Sequence, residues 1–208
     1  MLADSPITYL LTGAFFGLSA GISPGPLLTL VISETLKHTR KEGFKIAVSP
    51  LITDLPIILI TYFIFEGMSE YDISLAVISF LGGIYLAYLG LETILMRQPA
   101  TDFSQKEANS LRKGIIANFL NPNPYIFWFT AGIPTAFKAL RISLVTAVLF
   151  FLSFYVFLVG SKILTAILVE RSRNFLRTGF YRILMIILGA VLLLFALIFI
   201  RDGLRIIS

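Results

Sequence analysis

Hydrophobic residues in this chain come in long runs rather than as one stripe of an amphipathic pattern. Residues 7–32, 44–65, 73–95, 114–133, 142–169 and 181–200 are dominated by Leu, Ile, Val, Phe, Ala and Gly. Short charged segments separate them. Roughly 20 apolar residues are needed for a helix to cross the hydrocarbon of a bilayer. The pattern therefore predicts an all-α integral membrane protein with six transmembrane helices. Most are apolar around much of their circumference, as expected where lipid as well as protein surrounds a helix. The expected organisation is one membrane domain over residues 1–208. It has a three-helix half over 7–95, a connection over 96–113 and a second three-helix half over 114–202.

Two of the runs are interrupted. Ser23-Pro24-Gly25-Pro26 stands in the middle of the first, and Asn118-Phe119-Leu120-Asn121-Pro122-Asn123-Pro124 in the fourth. A proline removes a backbone donor and clashes with the preceding turn, so each pair should break or bend its helix. In hydrocarbon such a break survives only where protein or a water-lined cavity covers the loosened backbone. Pro24, Gly25, Pro26 and Pro122 are therefore candidates for the wall of a substrate pathway, and a kinked structural helix is the competing reading. Three spans per half is odd, so the second half enters the membrane from the opposite side. Matching breaks in inverted halves are one way to build a central transport site.

Asp54 lies inside the second run, between Pro50 and Pro56. A carboxylate within a span is costly against lipid and marks either a pathway or a buried pairing. It is a candidate for substrate binding and for coupling by proton uptake. The alternative is a structural acceptor at a disrupted helix. Asn118, Asn121 and Asn123 bring donors and acceptors to the second break. They suit a polar substrate, or they satisfy backbone groups that the prolines release, Asn121 especially. Tyr85 offers a hydroxyl from the third run. Trp128 fits an interfacial anchor or a binding surface. Lys162 either snorkels to headgroups or pairs inside the bundle. Gly13, Gly17 and Gly21 repeat at four-residue spacing on one helix face. With Gly83 and Gly90 they are candidate helix-packing positions. The glycine face serves either an internal contact or a homo-oligomer.

Composition narrows the chemistry. The 208 residues are 57% hydrophobic and 14% charged, against about 25% charged in a typical soluble domain. The formal charge of +5 resides in the connections, where topology and anionic lipid explain it without a nucleic-acid partner. Connections 34–45, 97–113 and 170–182 carry most of the Lys and Arg. They are predicted to be cytoplasmic, with both termini outside. No basic segment precedes the first run, so the start does not read as a cleaved signal peptide. There is no cysteine, which removes thiolate chemistry and disulfides. The single histidine, His38, lies in a basic loop and makes no metal site. No HExxH pattern or phosphate-binding loop is present. No metal, cofactor or catalytic residue is expected.

Pro24-Gly25-Pro26, Gly43 after a basic loop, Gly83-Ile84-Tyr85-Leu86-Ala87-Tyr88-Leu89-Gly90, and Asn121-Pro122 together resemble the lysine-exporter (LysE/RhtB-type) family of amino-acid translocators. The resemblance covers nearly the whole chain. Leu27 and Asn123 depart from it, standing where Asn and Lys are common. It implies export of amino acids or related small molecules across the cytoplasmic membrane, coupled to protons. The broken helix ends would receive a substrate carboxylate, and Asp54 or a helix C-terminus the ammonium. Export of another small polar solute or a cation is the alternative within transport. A membrane packing or interaction protein without transport is the alternative outside it.

Overall fold

The computed structural model describes residues 5–66, 71–95, 109–172 and 178–207, and all the regular elements in it are helices. The chain starts α1 (Pro6–Ile22) behind a capped turn. Ser5 accepts from the Thr8 amide, and Pro6 takes a first-turn position where its missing N–H costs nothing. Pro24 stops the helix, and Pro26 opens α2 (Pro26–Lys37). The two helices are bent by 59°. α3 (Arg40–Ala47) runs through Val48 into α4 (Ser49–Glu66), which carries Pro56 inside it. α5 (Tyr71–Leu95) closes the first half.

The second half opens with α6 (Ser110–Phe119), behind Asn109 in the left-handed region at φ 44°. Asn tolerates that conformation better than most side chains. The chain breaks at Leu120 and Asn121, resumes as α7 (Pro122–Phe127), passes through a π-turn at Trp128–Gly132 and continues as α8 (Ile133–Ile142). The fourth run, read as one interrupted span, is thus a succession of short elements. α9 (Leu144–Ser172) and α10 (Thr178–Ile207) are long and apolar.

Among the described residues, four helices are long and apolar enough to cross a membrane, or five if the bent pair α1–α2 counts as one span. The result is a multi-pass helical bundle. Residues 96–108 and 173–177 lie outside the described residues, so those parts of the predicted cytoplasmic connections do too, as do residues 1–4 and Ser208 at the ends.

The two most extensive helix contacts are α1 on α9 and α5 on α10. Small residues make both possible. A Cβ on Gly13 or Gly17 would run into the backbone carbonyls of Phe150 and Phe154, and one on Gly21 into Ser161. In the second pair Gly90 and Gly189 face each other, and a Cβ on either would come within 3 Å of the other's carbonyl oxygen. Gly83 sits against Ala196 and Ile200. Both glycine faces are therefore taken up inside the chain. Ile7, Leu11, Phe15 and Ile22 of α1 are exposed on its remaining surface, an arrangement that suits lipid.

Candidate functional site

Each break leaves backbone groups that the helices cannot satisfy internally. At the end of α1, the Ser23 amide bonds to the Ser19 carbonyl. The carbonyls of Ala20 and Gly21 both accept from the Lys162 ammonium, at 3.2 and 2.9 Å. At the start of α2, the Gly25 carbonyl accepts from the Thr29 amide at 3.0 Å and from its hydroxyl at 2.9 Å. Pro26 has no amide hydrogen, and no side chain caps this end. Leu27 and Leu28 therefore bring the first-turn amides of α2 to the break, at the positive end of the helix dipole.

The second break is organised differently. The Leu120 amide closes α6 on the Ile116 carbonyl, and the Tyr125 hydroxyl donates to the Phe119 carbonyl at 2.9 Å. Asn121 caps α7 by accepting from the Asn123 amide at 3.0 Å. Pro122 and Pro124 carry no amide hydrogen. The first turn of α7 thus has one donor, and Asn121 occupies it.

Between the breaks lies a cavity of about 420 Å³, within the usual size for a small-molecule site of roughly 300–1,000 Å³. Residues 23–28 border it from the first break. Asn118, Asn121, Asn123 and Pro124 border it from the second, Asp54 and Pro50 from α4, and Lys162 from α9. Ser23 and Pro24 are exposed, so the cavity is not sealed in dry packing. Its apolar lining comes from Phe127, Trp128, Phe154 and Leu158. Phe127 and Phe154 stack with ring centroids 5.3 Å apart, and Trp128 meets Phe154 edge-on at 5.3 Å.

Asp54 is 4% exposed. Asn118 Nδ2 donates to its Oδ1 at 3.2 Å and to Thr53 Oγ1 at 2.6 Å. The Trp128 indole and the Tyr155 hydroxyl also face the carboxylate, and the Lys162 charge acts on it from α9. Donors from α6, the π-turn and α9 therefore converge on one acid of α4.

Several sequence expectations land elsewhere. Tyr85 does not border the cavity. It stacks on Tyr88, centroids 6.4 Å apart, and packs against the core around Leu86 and Leu89. Pro122 is buried and borders a second, smaller cavity of about 220 Å³ with Asn123, Phe199 and Asp202. Trp128 is 1% exposed and belongs to the aromatic core, so it is not an interfacial anchor. Of the two readings of Lys162, the structure shows the one inside the bundle: it is 3% exposed and bonded to the α1 carbonyls. Its sequence signal was one cation inside a long apolar run. That signal alone does not distinguish a snorkelling side chain from a buried one.

A second polar cluster also escaped the sequence, where residues 34–45 read as a solvated connection. Glu34 is fully buried at the end of α2. It accepts from Lys37 at 3.2 Å, Ser110 at 3.1 Å and Lys113 at 3.4 Å, with His38 at 3.7 Å. Lys113 also reaches Glu92 at 2.8 Å, and Lys37 the Thr93 hydroxyl at 3.1 Å. Burial lowers the Lys113 pKa, but Glu34 and Glu92 outweigh burial and hold it above the ordinary lysine value. The cluster ties together the ends of α2 and α5 and the start of α6.

Among the described residues, no group of three or more His, Cys, Asp or Glu could hold a metal ion. The model of the LysE-type translocators matches residues 18–203 of the chain. That span takes in both breaks, the cavity and the buried charged cluster. No significant match to a curated protein or to a solved structure was found. Translocators move solutes and are not enzymes. The chain belongs to the LysE-type translocator family and is a secondary transporter of amino-acid-like solutes.

Proposed function

We propose that the protein exports amino acids or related small zwitterions by alternating access, through a passage built from the two broken segments. The observation that carries this reading is the shared cavity. Both interruptions, Asp54 and Asn118 border one space. In the cycle proposed, the substrate carboxylate meets the first-turn amides of Leu27 and Leu28 at the positive end of α2. The ammonium meets Asp54, oriented by Asn118. Asp54 also carries the coupling proton, which it accepts when the ammonium leaves. Trp128 and Phe154 cover the apolar part of the solute.

The architecture proposed is six spans in two inverted three-helix halves. The α1–α2 and α6–α7 breaks are the corresponding discontinuities. The pairing of α1 with α9 and of α4 with α6 and α7 supports it, because each broken segment then leans on a helix of the other half. The basic connections face the cytoplasm and the termini face outward.

The test is counterflow in proteoliposomes across the protein amino acids, with and without an imposed pH gradient. Substrate-specific flux that the gradient accelerates is expected. Flux that ignores the gradient overturns proton coupling, and absence of amino-acid flux overturns the cargo.

A further inference from the structure

Lys162 has no part in the cycle just described, yet it is the cation placed most directly in the cavity. Its ammonium lies at the C-terminal end of α1, where helix carbonyls point outward at the negative end of the dipole. Ala20 and Gly21 accept two of its hydrogen bonds, at 3.2 and 2.9 Å. An ammonium has three donors, so one remains. Lys162 borders the same cavity as Asp54, Asn118 and the first turn of α2. Among the described residues no hydrogen bond joins it to Asp54, and the two opposite charges act on each other within the cavity. The ammonium is therefore fixed in position, buried, and one hydrogen bond short of saturation.

We infer that Lys162 is the specificity-determining residue for a carboxylate on the transported solute. It supplies the charge that the first-turn amides of α2 supplement. This deepens the proposed cargo and rests on that reading. With Asp54 beside it in the cavity, the fixed cation offsets the charge that would otherwise draw in a solute whose only charge is positive. It also leaves a buried donor unanswered when the carboxylate is missing, as in the amine, and turns a charge-assisted pair into a weaker one when an amide carbonyl takes its place. The site then selects zwitterions over amines by charge as well as by shape. The α1 carbonyls have a structural part in this selection, because they hold the ammonium in place so that it does not follow the solute.

The experiment compares three probes in proteoliposomes of the wild-type protein: each amino acid that shows counterflow, its primary amide, and its decarboxylated amine. Loss of a hydrogen bond to a charged group is worth about tenfold or more in affinity, so the wild type should favour the amino acid over both analogues by at least about that factor. Lys162→Gln and Lys162→Met should bring the three within about threefold of one another, chiefly through loss of amino-acid flux. Wild-type transport of the amide or the amine at the amino-acid rate overturns the inference. So does an undiminished preference in either variant recovered as monodisperse protein. If neither variant is recovered folded, the wild-type series decides alone. Should no amino acid move in the wild type, the proposed cargo fails and the inference fails with it. Should amino acids move without a carboxylate preference, the inference fails and the cargo stands.

Discussion

Asn118 on α6 donates to Asp54 on α4 at 3.2 Å, and the same amide nitrogen donates to Thr53 at 2.6 Å. One side chain at the broken end of the fourth segment therefore sets the position of the buried acid in the second. The carboxylate also faces the Trp128 indole and the Tyr155 hydroxyl. Its environment is thus assembled from three other parts of the chain, and the acid and the break form one unit.

Asp54→Asn keeps the size and removes the charge. Transport should fall by about tenfold or more, since hydrogen bonds to a charged group are the strong ones. Expression and thermal stability should change little. Counterflow normalised to the amount of reconstituted protein checks this, and unchanged kinetics together with an unchanged pH profile would remove Asp54 from the mechanism.

Gly17 and Gly160 make a matched pair of tests for the α1–α9 contact. A Cβ on Gly17 meets the Phe154 backbone, whereas one on Gly160 meets nothing within 4 Å. Gly17→Ala should destabilise the protein by about 1–3 kcal/mol through overpacking against backbone that cannot move aside. Gly160→Ala should be neutral or stabilising by up to about 1 kcal/mol, from helix propensity. Detergent-solubilised melting curves of the two variants should shift in opposite directions, or only the first should shift.

Glu34 is the acceptor at the centre of the buried cluster. Its loss leaves Lys37 without its carboxylate partner and Lys113 with Glu92 alone. Removing one member of a buried ion pair costs about 3–5 kcal/mol, so Glu34→Ala should lower the melting temperature markedly or abolish recovery of folded protein. Glu42, its side chain 15% exposed, pairs with the half-exposed Lys45. Its ion-pair partner is a half-exposed lysine, so Glu42→Ala should cost less than Glu34→Ala, about 1–2 kcal/mol. Equal melting temperatures for the two variants would contradict the assignment.

Asn121 caps α7 through the Asn123 amide. Asn121→Ala should cost about 1 kcal/mol, and Asn121→Asp or Asn121→Ser should recover most of it, because each restores an oxygen at the cap. If the Asp and Ser variants behave like Ala in a thermal melt, the side chain has some role other than capping.

Residue type and run length were enough to settle the medium and the punctuation. Runs of about 20 apolar residues require hydrocarbon, and Pro24, Pro26, Pro122 and Pro124 remove backbone donors wherever the chain is placed. Those are local properties, and they located both breaks. They also marked Asp54, because a carboxylate in an apolar run is anomalous without reference to any neighbour. Which anomalous groups meet was left to the packing of the helices. Lys162 read as either a snorkelling or a buried cation, and Glu34 as part of a polar connection, since depth depends on how helices pack and not on the run that contains them. Trp128 read equally well as an interfacial residue until the π-turn placed it in the aromatic core. Tyr85 had a suitable hydroxyl but stands on α5, which contributes no residue to the cavity wall. Donor, acceptor and charge were legible residue by residue. Their convergence on one space was not, because it arises from contacts between segments far apart in the chain.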